Sequence, residues 1–236
     1  WRRSERVREG RGEKFEYDGF REVGKLYGRE GKRCELRQDA DLIKAQRIRF
    51  DRKNDIVICS GEVEIGFQPP NQSPSSSDEE SGSRWEAPFG LDNKAGGKGF
   101  VVRQTPVRIQ CSGDALFARG RGRLTLTRDV RIQQGETEVR AERVLGEFDM
   151  KGRTLRRIVG TRQVVLLHTN HVGRGDQIVW DLHRGVGELV GMPKASLTRG
   201  NEYLQAPVFR FEQATGRIVE SGGVEMKFQL RKDFDK

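Results

Sequence analysis

The chain has 236 residues and a formal net charge of +9, with 34% apolar and 33% charged residues. This length suits one large domain or two small ones, and no stretch of about 18 apolar residues marks a membrane-spanning helix. The basic balance favours an anionic partner such as nucleic acid, anionic lipid or a phosphorylated glycolipid, although a soluble basic surface needs no partner.

Three segments lack the alternation of a β protein. Residues 1–14 are charged and aperiodic, which predicts a disordered or helical tether. Residues 68–98 are rich in Pro, Ser, Gly and acids, which predicts a flexible insertion. Residues 231–236 form a charged tail. Because the sequence starts at Trp1 rather than Met, a signal or an anchor before it stays open.

The remaining chain alternates apolar and polar residues, first over 15–67 and then almost continuously over 100–230. This period of two is typical of half-buried strands. Helical periodicity is absent beyond the tether. The sequence therefore predicts an all-β domain over 15–230, interrupted by the 68–98 insertion.

One pattern occurs three times without a gap, at 45–65, 175–195 and 206–226. In each copy an acid ends an alternating run, a turn follows, and a glycine precedes a second alternating run. The acids and glycines are Asp51, Asp181 and Glu212, then Gly61, Gly191 and Gly222. Looser copies at 111–134 and 138–167 bring the count to about five, which is the signature of a repeat array. Alternation occurs in any β protein, but shared offsets of acid, turn and glycine favour a true repeat of strand-turn-strand units.

The aligned columns predict the faces of these strands. Columns such as Arg49, Val179 and Arg210 are mostly polar and are predicted to face solvent. The alternating columns are apolar and are predicted to face inward. Their candidate members are Ile48, Phe50, Val63, Ile65, Ile178, Trp180, Leu197, Phe209, Phe211, Val224, Met226 and Phe228.

The sequence does not support a metal-binding, nucleic-acid-binding or catalytic function. Cys34, Cys59 and Cys111 are too far apart in sequence for a metal motif. The odd spacing of His168 and His171 predicts opposite faces and exposed side chains. The run ARGRG at 118–122 is compatible with an RNA-binding tract, but the neighbouring strand favours a charged turn. The aromatic residues occupy apolar columns rather than an exposed nucleic-acid platform. We expect neither an enzyme nor a cofactor or metal.

The pattern A-x-x-I-x-F-D-x-x-x-x-x-V-x-x-x-G-x-V-x-I at 45–65, with its two further copies, resembles the OstA-like domain of lipopolysaccharide-transport periplasmic proteins. This family contains a soluble bridge protein and a related inner-membrane-anchored component. Residues 105–132 resemble the opening strands of such a domain, and the likeness covers most of 36–230 except the insertion. The missing signal or anchor leaves open which of the two components the chain matches.

The resemblance implies an elongated β-jellyroll, open along one edge, whose interior shields the acyl chains of lipopolysaccharide while the sugar head remains in water. It implies binding and transfer rather than catalysis, in the periplasm, as part of outer membrane assembly. The inward apolar columns would then be the lipid-binding residues. The expected partners are lipopolysaccharide or a related anionic glycolipid, and other jellyroll components or a second copy joined through edge strands. A membrane anchor is possible but lies outside this chain, and nucleic acid is not expected.

Two other functions stay open. An envelope structural or adhesive repeat protein would have the same sequence pattern and a packed interior that takes no ligand. A carbohydrate-active β-solenoid enzyme would need clustered acids on one face, whereas Asp51, Asp181 and Glu212 each occupy a turn.

Overall fold

The computed structural model describes residues 8–38, 41–67, 105–148, 155–223 and 225–228. Most of them belong to one open antiparallel sheet, which confirms the predicted all-β class. Within these ranges the strands are β1 (Arg8–Arg11), β2 (Lys14–Asp18), β3 (Val23–Tyr27), β4 (Cys34–Gln38), β5 (Asp41–Ala45), β6 (Arg47–Asp51), β7 (Ile56–Ser60), β8 (Val63–Phe67), β9 (Val107–Cys111), β10 (Asp114–Ala118), β11 (Arg123–Gln134), β12 (Thr137–Phe148), β13 (Leu155–His168), β14 (His171–Asp181), β15 (Val186–Arg199), β16 (Glu202–Glu212), β17 (Arg217–Ser221) and β18 (Glu225–Phe228).

The sheet is folded into two layers. In layer 1 the pairing runs β2-β3-β6-β7-β10 and then enters β11, while in layer 2 it runs β1-β4-β5-β8-β9 and also enters β11. From β11 to β16 each strand is long and contributes one half to each layer. The described strands end with β17 in layer 1 and β18 in layer 2. The described strands thus form one antiparallel meander, and each pass of the chain is bent between the two layers.

We call the line of bends the corner. In the long strands it coincides with register shifts, for example between Thr127 and Val130. Arg128 and Asp129 both have positive φ there, as do Arg162 and Gln163 in β13. Such bulges turn a strand and increase its twist. The bend therefore comes from local backbone geometry at the same position in successive strands.

The corner explains the glycine of the sequence repeat. Gly61 and Gly222 have φ values of 78° and 88°, a left-handed conformation that glycine adopts without strain. Each repeat is a layer 1 hairpin followed by the bend into layer 2, so the predicted strand-turn-strand unit is confirmed. The run ARGRG at 118–122 also forms a turn, with a 3-10 segment at Arg119–Arg121 that ends at left-handed Gly122.

The apolar core lies between the layers. Inward residues from both layers form one buried cluster that extends from Leu26 to Phe211. Opposite the corner, described residues at strand ends and turns of the two layers meet along a line that we call the seam. Phe67 of layer 2 packs edge-on against Phe148 of layer 1, with ring centroids 5.3 Å apart. Further along, the Gln213 side chain of layer 1 donates a hydrogen bond to the Gln134 carbonyl of layer 2 at 2.9 Å.

The described sheet starts earlier than predicted. Strand β1 and the first residue of β2 fall within the 1–14 segment that the sequence assigned to a tether, because β1 pairs with β4 despite its charged composition. The insertion at 68–98 and the tail at 231–236 lie outside the described residues, so their predicted character stays a prediction.

Candidate functional site

The candidate site is the apolar interior, and its layer 1 wall consists of two rows of cross-strand neighbours. Ile48, Ile178 and Phe209 belong to one row, and Phe50, Trp180 and Phe211 belong to the next. All of these except half-buried Phe50 are at most 1% exposed. The inward orientation predicted from the aligned columns is therefore confirmed. Lipid contact at these residues stays a prediction.

The layer 2 wall requires one correction. Val63, Ile65 and Leu197 are buried there as predicted, but the gapless alignment fails beyond the corner of the second copy. The bend in β15 spans Val190 to Ala195, so Leu197 lies level with Ile65 rather than with Phe67. The two added residues preserve the period of two, and this is why the predicted face is still right.

The end of the third copy is only partly described. Met226 and Phe228 lie in β18, where they pair with Leu204 and Glu202 of β16. Val224 lies outside the described residues. The predicted lipid contacts at these three positions therefore remain predictions from the sequence.

The repeated acids shape turns. Asp51 Oδ1 accepts the backbone N–H of Asn54 at 2.9 Å, and Asp181 Oδ1 accepts the backbone N–H groups of His183 and Arg184 at 3.0 and 2.9 Å. These bonds are those of Asx turns. They confirm the assignment of the acids to turns. Asp18 makes the same bonds to Phe20 and Arg21 at 3.0 Å, which identifies a further copy that the sequence alignment missed.

An aromatic–glycine–phenylalanine arrangement occurs twice in the same row of layer 1. In the first, Trp180 and Phe211 flank Gly187 on neighbouring strands, and their rings lie 6.2 Å apart. A Cβ built at Gly187 would overlap the Phe211 ring, so the glycine provides the space that the ring fills. We call Trp180, Gly187 and Phe211 the buried triplet.

The second arrangement lies at the N-terminal end of the sheet. Tyr17 and Phe50 flank Gly24, and a Cβ at Gly24 would overlap the Phe50 ring. We call these three residues the mouth triplet, because β3 is the one partner of β2 among the described strands and Tyr17 is 50% exposed. Phe15 stacks on Phe50 with centroids 6.1 Å apart and is 59% exposed. The inner face of the jellyroll is therefore open to solvent at this end.

A buried polar group interrupts the apolar lining at the seam. Gln134, Thr137 and His168 are cross-strand neighbours with exposures of 6%, 0% and 3%. Thr137 Oγ1 lies 2.9 Å from His168 Nδ1. Burial, together with nearby His171, lowers the pKa of His168, so this imidazole is neutral at neutral pH.

The sequence prediction for the histidines was wrong. His168 and His171 flank the two-residue turn between β13 and β14 and pair directly across it, so they share a face. Thr169 has positive φ in that turn. The signal was present as Thr-Asn between two alternating runs, since Asn is typical of two-residue hairpin turns.

The three cysteines belong to the core. Cys34, Cys59 and Cys111 are free and buried. Burial raises the pKa of Cys59 to about 12 and that of Cys111 to about 11. Both thiols are therefore protonated and unreactive at neutral pH. Over the described ranges, no group of three or more His, Cys, Asp or Glu side chains is arranged to hold a metal ion.

Comparison with known proteins gives a similarity in structure alone. No family model matches the chain, and no curated protein matches it. Among solved structures, the chain is similar to LptH, the LptA-homologous periplasmic component of the conserved lipopolysaccharide transport device of Pseudomonas aeruginosa. The identity is 13%, the TM-score is 0.48, and the match covers 54% of this chain and 98% of that chain. None of the helices in the described residues is long and apolar enough to cross a membrane.

Proposed function

We propose that the chain binds the acyl chains of lipopolysaccharide or a similar anionic glycolipid between its two layers and passes the lipid across the periplasm towards the outer membrane. The observation that carries this proposal is the apolar interior, which extends through the described sheet from Leu26 to Phe211 and is exposed to solvent at the mouth triplet. Each methylene buried there contributes about 0.8 kcal/mol. The net charge of +9 suits an anionic head group in water.

The packing of the interior determines how a lipid could reach it. Trp180 and Ile178 are 0% exposed, so an acyl chain has to displace side chains or separate the layers there. Phe15 and Tyr17 are at least half exposed and belong to the same two rows. We therefore propose that the mouth is where acyl chains first contact the protein.

Photo-crosslinking tests the proposal. A photoreactive residue at Trp180 or Phe211 should capture a bound acylated lipid, while one at Arg49 or Arg210 on the outer face should capture much less. Equal labelling at both sets would contradict the proposed binding surface. No labelling at any site with lipid present would favour the alternative, an envelope structural protein without a ligand, which the close packing around Trp180 also supports. Each variant must first have the circular-dichroism spectrum of the parent.

We further propose that other jellyroll components, or a second copy, join through the edge strands. In the described residues β18 pairs with β16 on one side, and unpaired strand edges are templates for another strand. Glu225→Pro and Lys227→Pro each remove one backbone donor. The two donors point to the same side of β18, because the residues are two apart in the strand. Both variants should therefore associate more weakly in sedimentation when that side is the one a partner strand joins. Parent-like association of both folded variants would contradict docking at this edge.

A further inference from the structure

Three buried polar atoms in the described part of the chain have no hydrogen-bond partner: Gln134 Oε1, His168 Nε2 and Trp180 Nε1. Burying such an atom without a partner is unfavourable. Two of the three belong to one site, because Gln134 and His168 flank Thr137 on adjacent strands. We call Gln134, Thr137 and His168 the seam niche.

The niche lies beneath a turn of the opposite layer. Gln213 donates its side-chain N–H to the Gln134 carbonyl at 2.9 Å. A Cβ built at Gly216 would lie 3.8 Å from His168 Nε2. The turn between β16 and β17 thus covers the niche.

The seam niche lies on β11, β12 and β13. On these three strands the inward residues between the niche and the corner are apolar. The next inward residues are Ile132, Val139 and Leu166, which are 0%, 0% and 2% exposed. Behind them lie Val130, Ala141 and Val164, which are at most 5% exposed. Four residues of strand span about 13 Å. We call these six residues the apolar track. A ligand that matches the track has a polar group at the seam and an apolar tail pointing to the corner.

The unpartnered atoms define the polar group. When the Thr137 hydroxyl donates to His168 Nδ1, the proton of the neutral imidazole is on Nε2, which is then a donor. Gln134 Oε1 is an acceptor. An ester carbonyl satisfies the donor alone, whereas an amide satisfies both atoms, its C=O accepting from His168 and its N–H donating to Gln134.

We propose that the seam niche binds the carbonyl-bearing head of an acyl chain, preferably an amide, while the tail lies along the track to the corner. This inference rests on the proposed function and adds to it a polar subsite and a linkage preference. The same head group without an acyl tail would lose the apolar contacts and bind weakly.

A probe series with one fluorescent tail tests the subsite on the full chain: an N-methyl amide, a methyl ester and a plain hydrocarbon. The parent should bind the amide about fivefold more tightly than the ester, and the ester about fivefold more tightly than the hydrocarbon, as expected for one hydrogen bond at each step. Gln134→Leu should abolish only the difference between amide and ester. Thr137→Val combined with His168→Phe should abolish both differences, and His183→Phe, at an exposed histidine, should retain them.

Stability provides a second readout. The Thr137→Val and His168→Phe pair replaces both hydrogen-bonding partners by apolar groups, so the urea midpoint should be unchanged or higher while amide selectivity is lost. A merely structural hydrogen bond would instead give a lower midpoint and no change in selectivity. If that double variant fails to fold, the ratio of amide to ester affinity in Gln134→Leu is the deciding measurement. Loss of the difference between amide and ester supports the subsite, and a ratio equal to that of the parent overturns it. Equal binding of all three probes by the parent overturns the subsite and leaves the proposed function intact, whereas no binding of any probe overturns both.

Discussion

The buried triplet and the mouth triplet have the same construction and opposite environments. Trp180, Gly187 and Phe211 lie within the sheet, with further strands on both sides, and their two rings are at most 1% exposed. Tyr17 belongs to β2, whose described partner is β3 alone, and it is 50% exposed. Burial in this fold therefore depends on the number of neighbouring strands more than on residue type. The mouth exposes the kind of surface that the fold buries elsewhere.

The largest expected difference between the triplets is in the loss of an aromatic ring. Trp180→Ala should lower the free energy of unfolding by about 3–5 kcal/mol, because it leaves a cavity in a packed core. Tyr17→Ala should lower it by about 1 kcal/mol or less, because half of that side chain is already in water. Urea unfolding of both variants checks the comparison. Similar losses would show that the mouth is packed as tightly as the interior.

Adding a methyl group at the central glycine is the converse experiment. Gly187→Ala places a Cβ against the Phe211 ring, which is 1% exposed and has no room to move. The expected cost is about 1–3 kcal/mol. Gly24→Ala meets the Phe50 ring, which is half-buried and can swing towards solvent, so the cost should be smaller. Neither glycine has a positive φ, so an added Cβ causes no backbone strain at either position. Thermal unfolding of the two variants therefore compares the steric crowding around the added methyl group.

Sequence periodicity is sufficient to predict the faces of both triplets but not their burial. The period of two assigns Phe50, Trp180 and Phe211 to the inner face, because side chains alternate in any strand. Whether a strand has neighbours on both sides depends on pairing, and β1 pairs with β4 although its sequence is charged. The seam is harder still, since Gln134 and Gln213 meet across 79 residues. Alternation fixes which side of a strand is buried, but it contains no information about which distant turn lies opposite.

Acid should affect the two regions differently. Burial lowers the pKa of His168 below its ordinary value of 6.5, so the fold favours the neutral imidazole. Its contribution to stability is fully present above about pH 6.5 and is lost as the pH falls below that value, where the unfolded chain binds the proton more readily. His171 has a lowered pKa as well and acts in the same direction, and neighbouring Glu136 opposes the shift at His168.

The turn that follows β16 covers His168. The backbone amides of β16 should therefore lose protection against hydrogen exchange between pH 7.5 and 5.5, after correction for the intrinsic exchange rate at each pH. Strand β3, beside the mouth triplet, should keep its protection, because all three histidines of the chain lie at 168–183. His168→Phe should reduce the response of β16, and His183→Phe should leave it unchanged. A uniform loss of protection in both strands would indicate global titration of the fold rather than a response at the seam.

The smallest expected effect on stability is at the exposed rim of the mouth. Phe15→Ser combined with Tyr17→Ser should change the free energy of unfolding by no more than about 1 kcal/mol, since both side chains are at least half exposed. The same variant should associate more weakly with a second jellyroll or with itself, because the two rows that a partner would continue begin at these side chains. Sedimentation velocity measures the association, and Lys14→Ser combined with Glu16→Ser, at alternate positions of the same strand, is the matched control. If the aromatic variant lost more than about 2 kcal/mol of stability, the mouth would be part of the core. If it kept both stability and association, the exposed rings would have no role in docking.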